Sequence, residues 1–199
     1  EELEAMDAMS LKCAQELSDA HVDVMGYACL VAIMSMGRGY HCVSEVNLHQ
    51  ETIANDFPTP IVTSAGALIN GLKVLGAKQI SIITPYMRPL TDMVVDYIEN
   101  QGIKVKQSIA LEIPDNLEVA AQNPMNLLEI YKQLDLTDVD VLVASACVQM
   151  PSLEAIDLIQ AECGIPVTSA AVCTTYEMMK KIGIEAKSAI GGELLSGKY

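Results

Sequence analysis

The sequence predicts an α/β protein made of mainly parallel sheets flanked by helices. Short apolar runs alternate along the chain with helical patterns, which is typical of strand–helix–strand units and of parallel sheets. Residues 139–144 show no alternation of polar and apolar side chains, as expected of a strand buried on both faces of such a sheet. Landmarks of the first part of the chain also recur, in the same order, in the second part. We therefore expect two pseudo-symmetric lobes with an active site in the cleft between them.

The individual elements follow from apolar periodicity and from glycines that end helices. Residues 3–18 place apolar side chains at nearly a 3.6-residue period, which predicts an amphipathic helix. Residues 22–29 predict a short strand, and the paired glycines of residues 37–42 indicate a mobile loop. The other predicted helices are residues 48–56, 66–75, 90–101, 127–134, 153–162 and 174–182, and the other predicted strands are residues 60–65, 78–84, 103–110 and 167–170.

The internal repeat rests on two kinds of landmark. A Val-Asp-Val run precedes an Ala-Cys pair twice, once before Cys29 and once before Cys147. A Thr-Ser-Ala run begins at Thr63 and again at Thr168, and each is followed by a helix that ends on glycine. Four landmarks in one order argue against chance recurrence of common residues.

The repeat divides the chain into a first lobe, residues 1–77, and a second lobe, residues 78–199, with residues from about 190 onward as a candidate to return to the first lobe. Residues 78–101 supply a strand, a Pro-Tyr turn and a helix that have no counterpart in the first lobe. The sequence also begins at Glu1 without an initiator Met. We therefore expect the opening strand–helix unit of the first lobe to be missing from this sequence.

Composition excludes several classes of function. The 199 residues contain 12 Lys and Arg against 26 Asp and Glu, and a net charge of −14 does not favour a nucleic acid as partner. No apolar run reaches the ~18 residues of a membrane-spanning helix, and no signal-peptide pattern opens the sequence. We expect a cytoplasmic protein that contacts no membrane.

The six cysteines do not belong to a metal-binding pattern, so each is either a buried apolar side chain or a reactive thiol. The sequence has no Cys-x-x-Cys pair and no His at zinc-finger spacing, so we expect no metal site. Cys29 and Cys147 each follow a predicted strand, and open α/β sheets bind ligands at the carboxyl ends of strands. Pro151 is expected to be the first residue of the following helix, whose N-terminus would lower the pKa of Cys147. Free cysteines are usually buried, and we expect that of Cys13, Cys163 and Cys173, whereas Cys42 is left open.

Two thiols on opposite sides of one cleft can perform two kinds of reaction without a cofactor. They can remove and deliver protons on opposite faces of a small carbon acid, or one can add as a nucleophile while the other protonates. The three histidines, residues 21, 41 and 49, do not fall near the strand end of either cysteine. His41 is the only plausible member of a Cys–His pair.

The segments around both cysteines resemble those of a known family. Tyr27-Ala-Cys-Leu-Val-Ala-Ile-Met34 and Ser145-Ala-Cys-Val-Gln-Met-Pro-Ser-Leu153 are similar to the two active-site segments of maleate cis-trans isomerases, in the aspartate/glutamate racemase superfamily with arylmalonate decarboxylase. The resemblance covers nearly the whole chain and includes Pro85-Tyr-Met-Arg-Pro-Leu and Glu112-Ile-Pro-Asp-Asn-Leu-Glu-Val. It is specific because arylmalonate decarboxylases carry a cysteine in the second segment but not in the first.

The resemblance implies isomerisation of maleate to fumarate without a cofactor, by a homodimer. Cys29 matches the nucleophile that forms a succinyl-cysteine, and Cys147 matches the group that protonates the neighbouring carbon. Tyr86 and Asn116 match substrate-binding residues, and the backbone N–H groups of Leu30, Val31 and Val148 would bind the developing oxyanion. Two alternatives stay open at this point: a two-cysteine amino-acid racemase or epimerase of the same superfamily, and a non-catalytic module that binds small acids.

Overall fold

A computed structural model describes residues 2–199 of the chain, which form two parallel sheets covered by helices. The first sheet pairs β1 (Met25–Tyr27) with β2 (Ile61–Thr63), and Met25 lies opposite Ile61. The second sheet has the order β4 (Lys104–Ala110), β3 (Gln79–Thr84), β5 (Val141–Ser145) and β6 (Val167–Ser169). All strand pairs in both sheets are parallel, which confirms the predicted fold class.

The helices alternate with the strands as the sequence predicts. In chain order they are α1 (Glu2–Ser18), α2 (Leu30–Met34), α3 (Tyr40–Ala54), α4 (Ser64–Val74), α5 (Arg88–Asn100), α6 (Asn116–Ala120), α7 (Leu127–Ile130), α8 (Leu153–Cys163) and α9 (Ala170–Lys181). None of the helices within residues 2–199 combines the length and the apolar character that crossing a membrane requires.

Several predicted boundaries are wrong. The predicted loop at residues 37–42 is a tight turn followed by helix, because α3 begins at Tyr40 and not at residue 48. Gly37 and Gly39 have φ angles of 117° and 74°, so these glycines serve the turn and leave the next residues free to be helical. Helix α9 begins four residues before its predicted start at Thr174, because the Ser169 hydroxyl accepts a hydrogen bond from Val172 N–H and caps it.

The predicted helix at residues 127–134 also differs. Its α-helical part ends at Ile130, and 3₁₀ turns flank it at Pro124–Asn126 and Tyr131–Gln133. Asn123 caps the first of these turns by accepting from Met125 N–H. This short segment packs against α8 and buries Leu127 and Tyr131.

Within residues 2–199, the buried apolar side chains form a small cluster of Ala14, Met25, Leu48 and Ile61 and a large hydrophobic core that includes residues of both sheets. Fully buried side chains from either part of the chain contribute to it, among them Leu68 of α4, Ile82 of β3, Val143 of β5 and Ile159 of α8. Because β5 is buried along its whole length, both of its faces are covered by helices, as its unalternating sequence predicts.

The helices that follow β2 and β6 pack closely at Gly71. A methyl group built on Gly71 would lie 2.6 Å from Cys173 Sγ and 3.1 Å from Leu194 Cδ2. Overpacking of this kind costs about 1–3 kcal/mol. Alanine in a helix regains roughly 0.5–1 kcal/mol relative to glycine. We therefore expect Gly71→Ala to lower the free energy of unfolding, as measured by urea denaturation.

The matched control for this prediction is the double variant Gly71→Ala with Cys173→Ala. Removing the sulfur makes room for the new methyl group, so the double variant should be more stable than Gly71→Ala alone. A Gly71→Ala protein as stable as the wild type would contradict the close packing of α4 on α9.

Candidate active site

Cys29 lies just beyond β1 and occupies the N-cap position of α2, with extended backbone angles of φ −108° and ψ 92°. Its thiol is half-buried. Burial raises its pKa above the ordinary value, and the neighbouring Cys147 adds to this, although the backbone N–H groups of Ala32 and Val31 stabilise the thiolate. The N-terminus of α2 therefore provides hydrogen-bond donors to the sulfur, but desolvation has the larger effect on its pKa.

Cys147 lies two residues beyond β5 and is only 8% exposed. The Ser145 hydroxyl accepts a hydrogen bond from the Cys147 N–H at 3.2 Å and donates one to the Cys147 carbonyl oxygen at 2.8 Å. This small ring fixes the backbone that carries the thiol.

The predicted helix start at Pro151 is wrong. Helix α8 begins at Leu153 with Ser152 in the cap position. Met150 is 2% exposed and anchors the preceding residues in the core, so they form a loop and not a helical turn. Helix α8 therefore begins six residues after Cys147, and its first turn does not include this cysteine.

Tyr86 lies close to both thiols, and its side chain forms a hydrogen bond with that of Cys147. It follows β3, and its hydroxyl donates a hydrogen bond to the Ala146 carbonyl oxygen at 3.3 Å. Burial raises its pKa well above the ordinary value, and the charges that Cys147 and Cys29 would carry act in the same direction. Tyr86 therefore keeps its proton throughout the physiological range and is a hydrogen-bond donor beside both cysteines.

A buried pair of threonines holds the turn that carries Tyr86. The hydroxyl groups of Thr84 and Thr91 share a hydrogen bond of 2.6 Å, and Thr91 Oγ1 also donates to the Tyr86 carbonyl oxygen at 3.4 Å. These contacts join the end of β3 to the first turns of α5.

The other predicted binding groups border the same region. Asn116 is exposed and is the first residue of α6, which Asp115 caps. The backbone carbonyl oxygen of Asn116 accepts a hydrogen bond from Gln149 Nε2 at 2.8 Å. This bond ties Asn116 to the loop that follows Cys147. Within residues 2–199 the N–H groups of Leu30 and Val148 donate no hydrogen bond, so both are free to bind a substrate oxygen.

Sequence reasoning missed several supporting residues. Ser145, Thr91 and Gln149 hold the Cys147 loop, the Tyr86 turn and Asn116, and Ala32 supplies the second N–H to Cys29. Only Ser145 carried a signal that could have revealed it, namely a small hydroxyl residue directly before an Ala-Cys pair at a strand end.

The remaining cysteines and His41 lie outside this group. Cys173 is fully buried as predicted, and burial raises its pKa to about 12. Cys163 is half-buried. Cys13 is exposed, contrary to prediction, because the apolar face of α1 on which it lies borders an open pocket together with Met9 and Leu17. His41 is buried against Tyr97 of α5, so it is committed to a structural contact and does not pair with either central thiol.

A family model and individual known proteins both match this chain over nearly its whole length. The family model for arylmalonate decarboxylase matches residues 5–195. A maleate isomerase of Geobacillus stearothermophilus is 54% identical over 199 residues, which is 100% of this chain and 79% of that protein. The chain belongs to the maleate isomerase family. Membership in this family makes the chain an enzyme of the isomerase class.

Two solved structures of maleate isomerases match the fold closely. One is an alanine-for-cysteine variant from Pseudomonas putida S16 with maleate, which has a TM-score of 0.97 and 57% identity, covering 99% of this chain and 79% of that one. The other is a serine-for-cysteine mutant from Nocardia farcinica with a covalently bound succinylcysteine intermediate. It has a TM-score of 0.94 and 38% identity over 99% of this chain and 80% of that one.

Proposed function

We propose that this chain isomerises maleate to fumarate, with Cys29 as nucleophile and Cys147 as proton donor and acceptor. The observation that carries the proposal is the grouping of two thiols around one protonated tyrosine, Tyr86. Sequence identity of 54% to a maleate isomerase over the full chain supports the choice of substrate.

The first half of the reaction makes the carbon–carbon double bond single. The Cys29 thiolate adds to one alkene carbon, so a C–S bond forms and the π electrons move onto the neighbouring carbon and its carboxylate. The Cys147 thiol then gives its proton to that carbon, which leaves a succinyl group on Cys29 and a thiolate on Cys147. Rotation about the former double bond is now free.

The second half reverses these steps in the rotated geometry. The Cys147 thiolate removes the proton, the C–S bond breaks, and Cys29 leaves as thiolate while the trans double bond forms. Atoms and electrons balance without an oxidant or a cofactor. The protein returns to its starting protonation state.

The charge that develops on the substrate carboxylate needs hydrogen-bond donors. Tyr86 O–H and the free N–H groups of Leu30 and Val148 suit this role, since preorganised donors stabilise an oxyanion strongly in a site shielded from water. Val31 N–H is shared with the Cys29 thiolate, and Asn116 beside the Cys147 loop completes the proposed carboxylate contacts.

The direct test is conversion of maleate by the purified protein without added metal or cofactor, with fumarate followed by proton NMR. A mass spectrum taken during turnover should show a succinyl adduct on a peptide containing Cys29. If deuterium instead enters the α-carbon of aspartate or glutamate and no fumarate forms, the protein is a racemase and the proposal is wrong.

The raised pKa of Cys29 predicts alkaline pH dependence. Because burial raises this pKa, the thiolate fraction is small at neutral pH and grows as pH rises through the folded-state value. We expect the alkylation rate of Cys29 by iodoacetamide to rise with pH, with a midpoint above that of an ordinary cysteine thiol. Peptide mass spectrometry would measure this rate, and exposed Cys13 serves as the internal control. A Cys29 midpoint below about 7, typical of an activated thiolate, would contradict the dominance of burial.

We also propose that the protein is a cytoplasmic homodimer and that its lobes divide at residues 77 and 78. The continuous core between the sheets supports a firm junction of the lobes rather than a flexible linker. Light scattering would test the dimer by giving twice the chain mass of 21.4 kDa.

A further inference from the structure

The turn between α2 and α3 carries three side chains that anchor it to other helices. Gly37 and Gly39, both with positive φ, form the turn, and the side chains of Arg38, Tyr40 and His41 contact residues of α1 and α5. This segment lies directly after α2, the short helix that begins at Cys29.

Two of the anchors fasten the turn to α5. Arg38 donates two hydrogen bonds to the Asp96 carboxylate, from Nε at 3.0 Å and from Nη2 at 2.5 Å. The next residue of α5, Tyr97, is 2% exposed, and its hydroxyl accepts from the His41 backbone N–H at 3.1 Å and lies 2.5 Å from His41 Nδ1. The Tyr97 hydroxyl therefore makes hydrogen bonds to both the backbone and the ring of His41, and the His41 tautomer sets which atom is the donor in the contact with the ring.

The third anchor fastens the same turn to α1. The Tyr40 hydroxyl donates to Asp7 Oδ2 at 2.6 Å, and Asp7 is 8% exposed. The first residues of α3 are therefore held from two sides, by α1 and by α5.

Helix α5 links this anchor to the other half of the active site. It begins one residue after Met87, so Tyr86 stands at its N-terminal end and Tyr97 lies near its C-terminal end. Helix α2 packs on α5 and buries Leu30 and Ile33 in the common core. The same helix therefore carries Tyr86 beside Cys147 and receives the turn that follows Cys29.

We propose that Tyr97 is a positioning residue: by holding His41, it fixes α2 so that Cys29 meets the substrate held beside Tyr86 and Cys147. This inference rests on the proposed function for its link to catalysis. Tyr97 touches no reacting atom, and it acts through the backbone of α3 and α2.

The anchors differ in importance because they differ in burial. The side chains of Arg38 and Asp96 are 61% and 55% exposed, and exposed ion pairs contribute little to the free energy of unfolding. The Tyr97–His41 contact is buried, and its loss leaves the His41 N–H and Nδ1 without a partner away from water. Tyr97 is therefore the residue to change.

The test compares Tyr97→Phe, which removes only the hydroxyl, with Tyr131→Phe. Tyr131 is 6% exposed in the second lobe, and its hydroxyl interacts with Glu162, so its loss removes a similar group far from the anchor. We expect Tyr97→Phe to lower kcat by between about 10-fold and 100-fold with little change in KM, since small misplacements of reacting groups cost this much. Tyr131→Phe should keep both constants near those of the wild type.

A second measurement does not depend on turnover. A short reagent that crosslinks two thiols should join Cys29 to Cys147 in the wild type, since the two groups interact, and mass spectrometry identifies the joined peptides. The yield should fall in Tyr97→Phe and stay unchanged in Tyr131→Phe. Equal kcat and equal crosslinking in the two folded variants would overturn the positioning role. A wild type that crosslinks but makes no fumarate would instead overturn the proposed function, while the crosslinking comparison still decides the role of Tyr97.

Discussion

We expect the Cys29→Ala variant to lose turnover of maleate by at least about 10⁴-fold, as loss of a covalent nucleophile does in other enzymes. Without a sulfur at this position no C–S bond forms, and the double bond stays rigid. The α2 backbone should be preserved, because Cys29 caps the helix without a side-chain hydrogen bond. Proton NMR of fumarate formation measures the loss of turnover. The mass of the protein after incubation with maleate shows whether a C–S adduct has formed.

The control is Cys13→Ala, which removes an exposed thiol of α1 and should leave the rate unchanged. Both variants should unfold at temperatures close to that of the wild type. Wild-type turnover in Cys29→Ala would refute covalent catalysis at this residue.

The second large effect is expected for Cys147→Ser. A serine hydroxyl is a much weaker acid than a thiol, so both the protonation of the intermediate and its later deprotonation become slow. General acid–base catalysis is worth about 10²–10⁴-fold, and turnover should fall within that range. Because the hydroxyl still fits the space of the buried thiol, Cys29 should remain able to react, and the succinyl adduct on Cys29 should accumulate.

Intact and peptide mass spectra after mixing with maleate measure this accumulation. Cys163→Ser, at a half-buried thiol outside the site, should show neither the slower turnover nor the adduct. An adduct on Cys147 in a Cys29→Ser variant would reverse the proposed roles of the two cysteines.

The sequence was informative wherever burial dictates residue type. The unbroken apolar run of β5 and the repeat of Ala-Cys after two strands predicted the parallel sheets and brought Cys29 and Cys147 together as candidates. Tyr86 and Asn116 came from the resemblance alone. A tyrosine after proline and an asparagine in a turn have ordinary structural explanations.

What could not be predicted depends on contacts between residues far apart in the chain. The start of α3 at Tyr40 is stabilised by Tyr97 and Asp7, each more than thirty residues away. The nearby glycines alone therefore predicted a loop where the helix begins. The loop at residues 146–152 is held by Met150 in the core, whereas Pro151 alone indicated a helix start. The direction of the Cys29 pKa shift likewise required knowledge of burial.

The two sheets support their cysteines unequally. Within residues 2–199, β1 has three residues and one neighbouring strand, whereas β5 has five residues and is flanked by both β3 and β6. Local opening is easiest where backbone hydrogen bonds are few and close to solvent. Amide hydrogens of Gly26 and Tyr27 should therefore exchange with solvent faster than those of Leu142 and Val143. Cys29, the proposed nucleophile, therefore follows the strand that opens more easily, and Cys147, the proposed proton donor, follows the more rigid one.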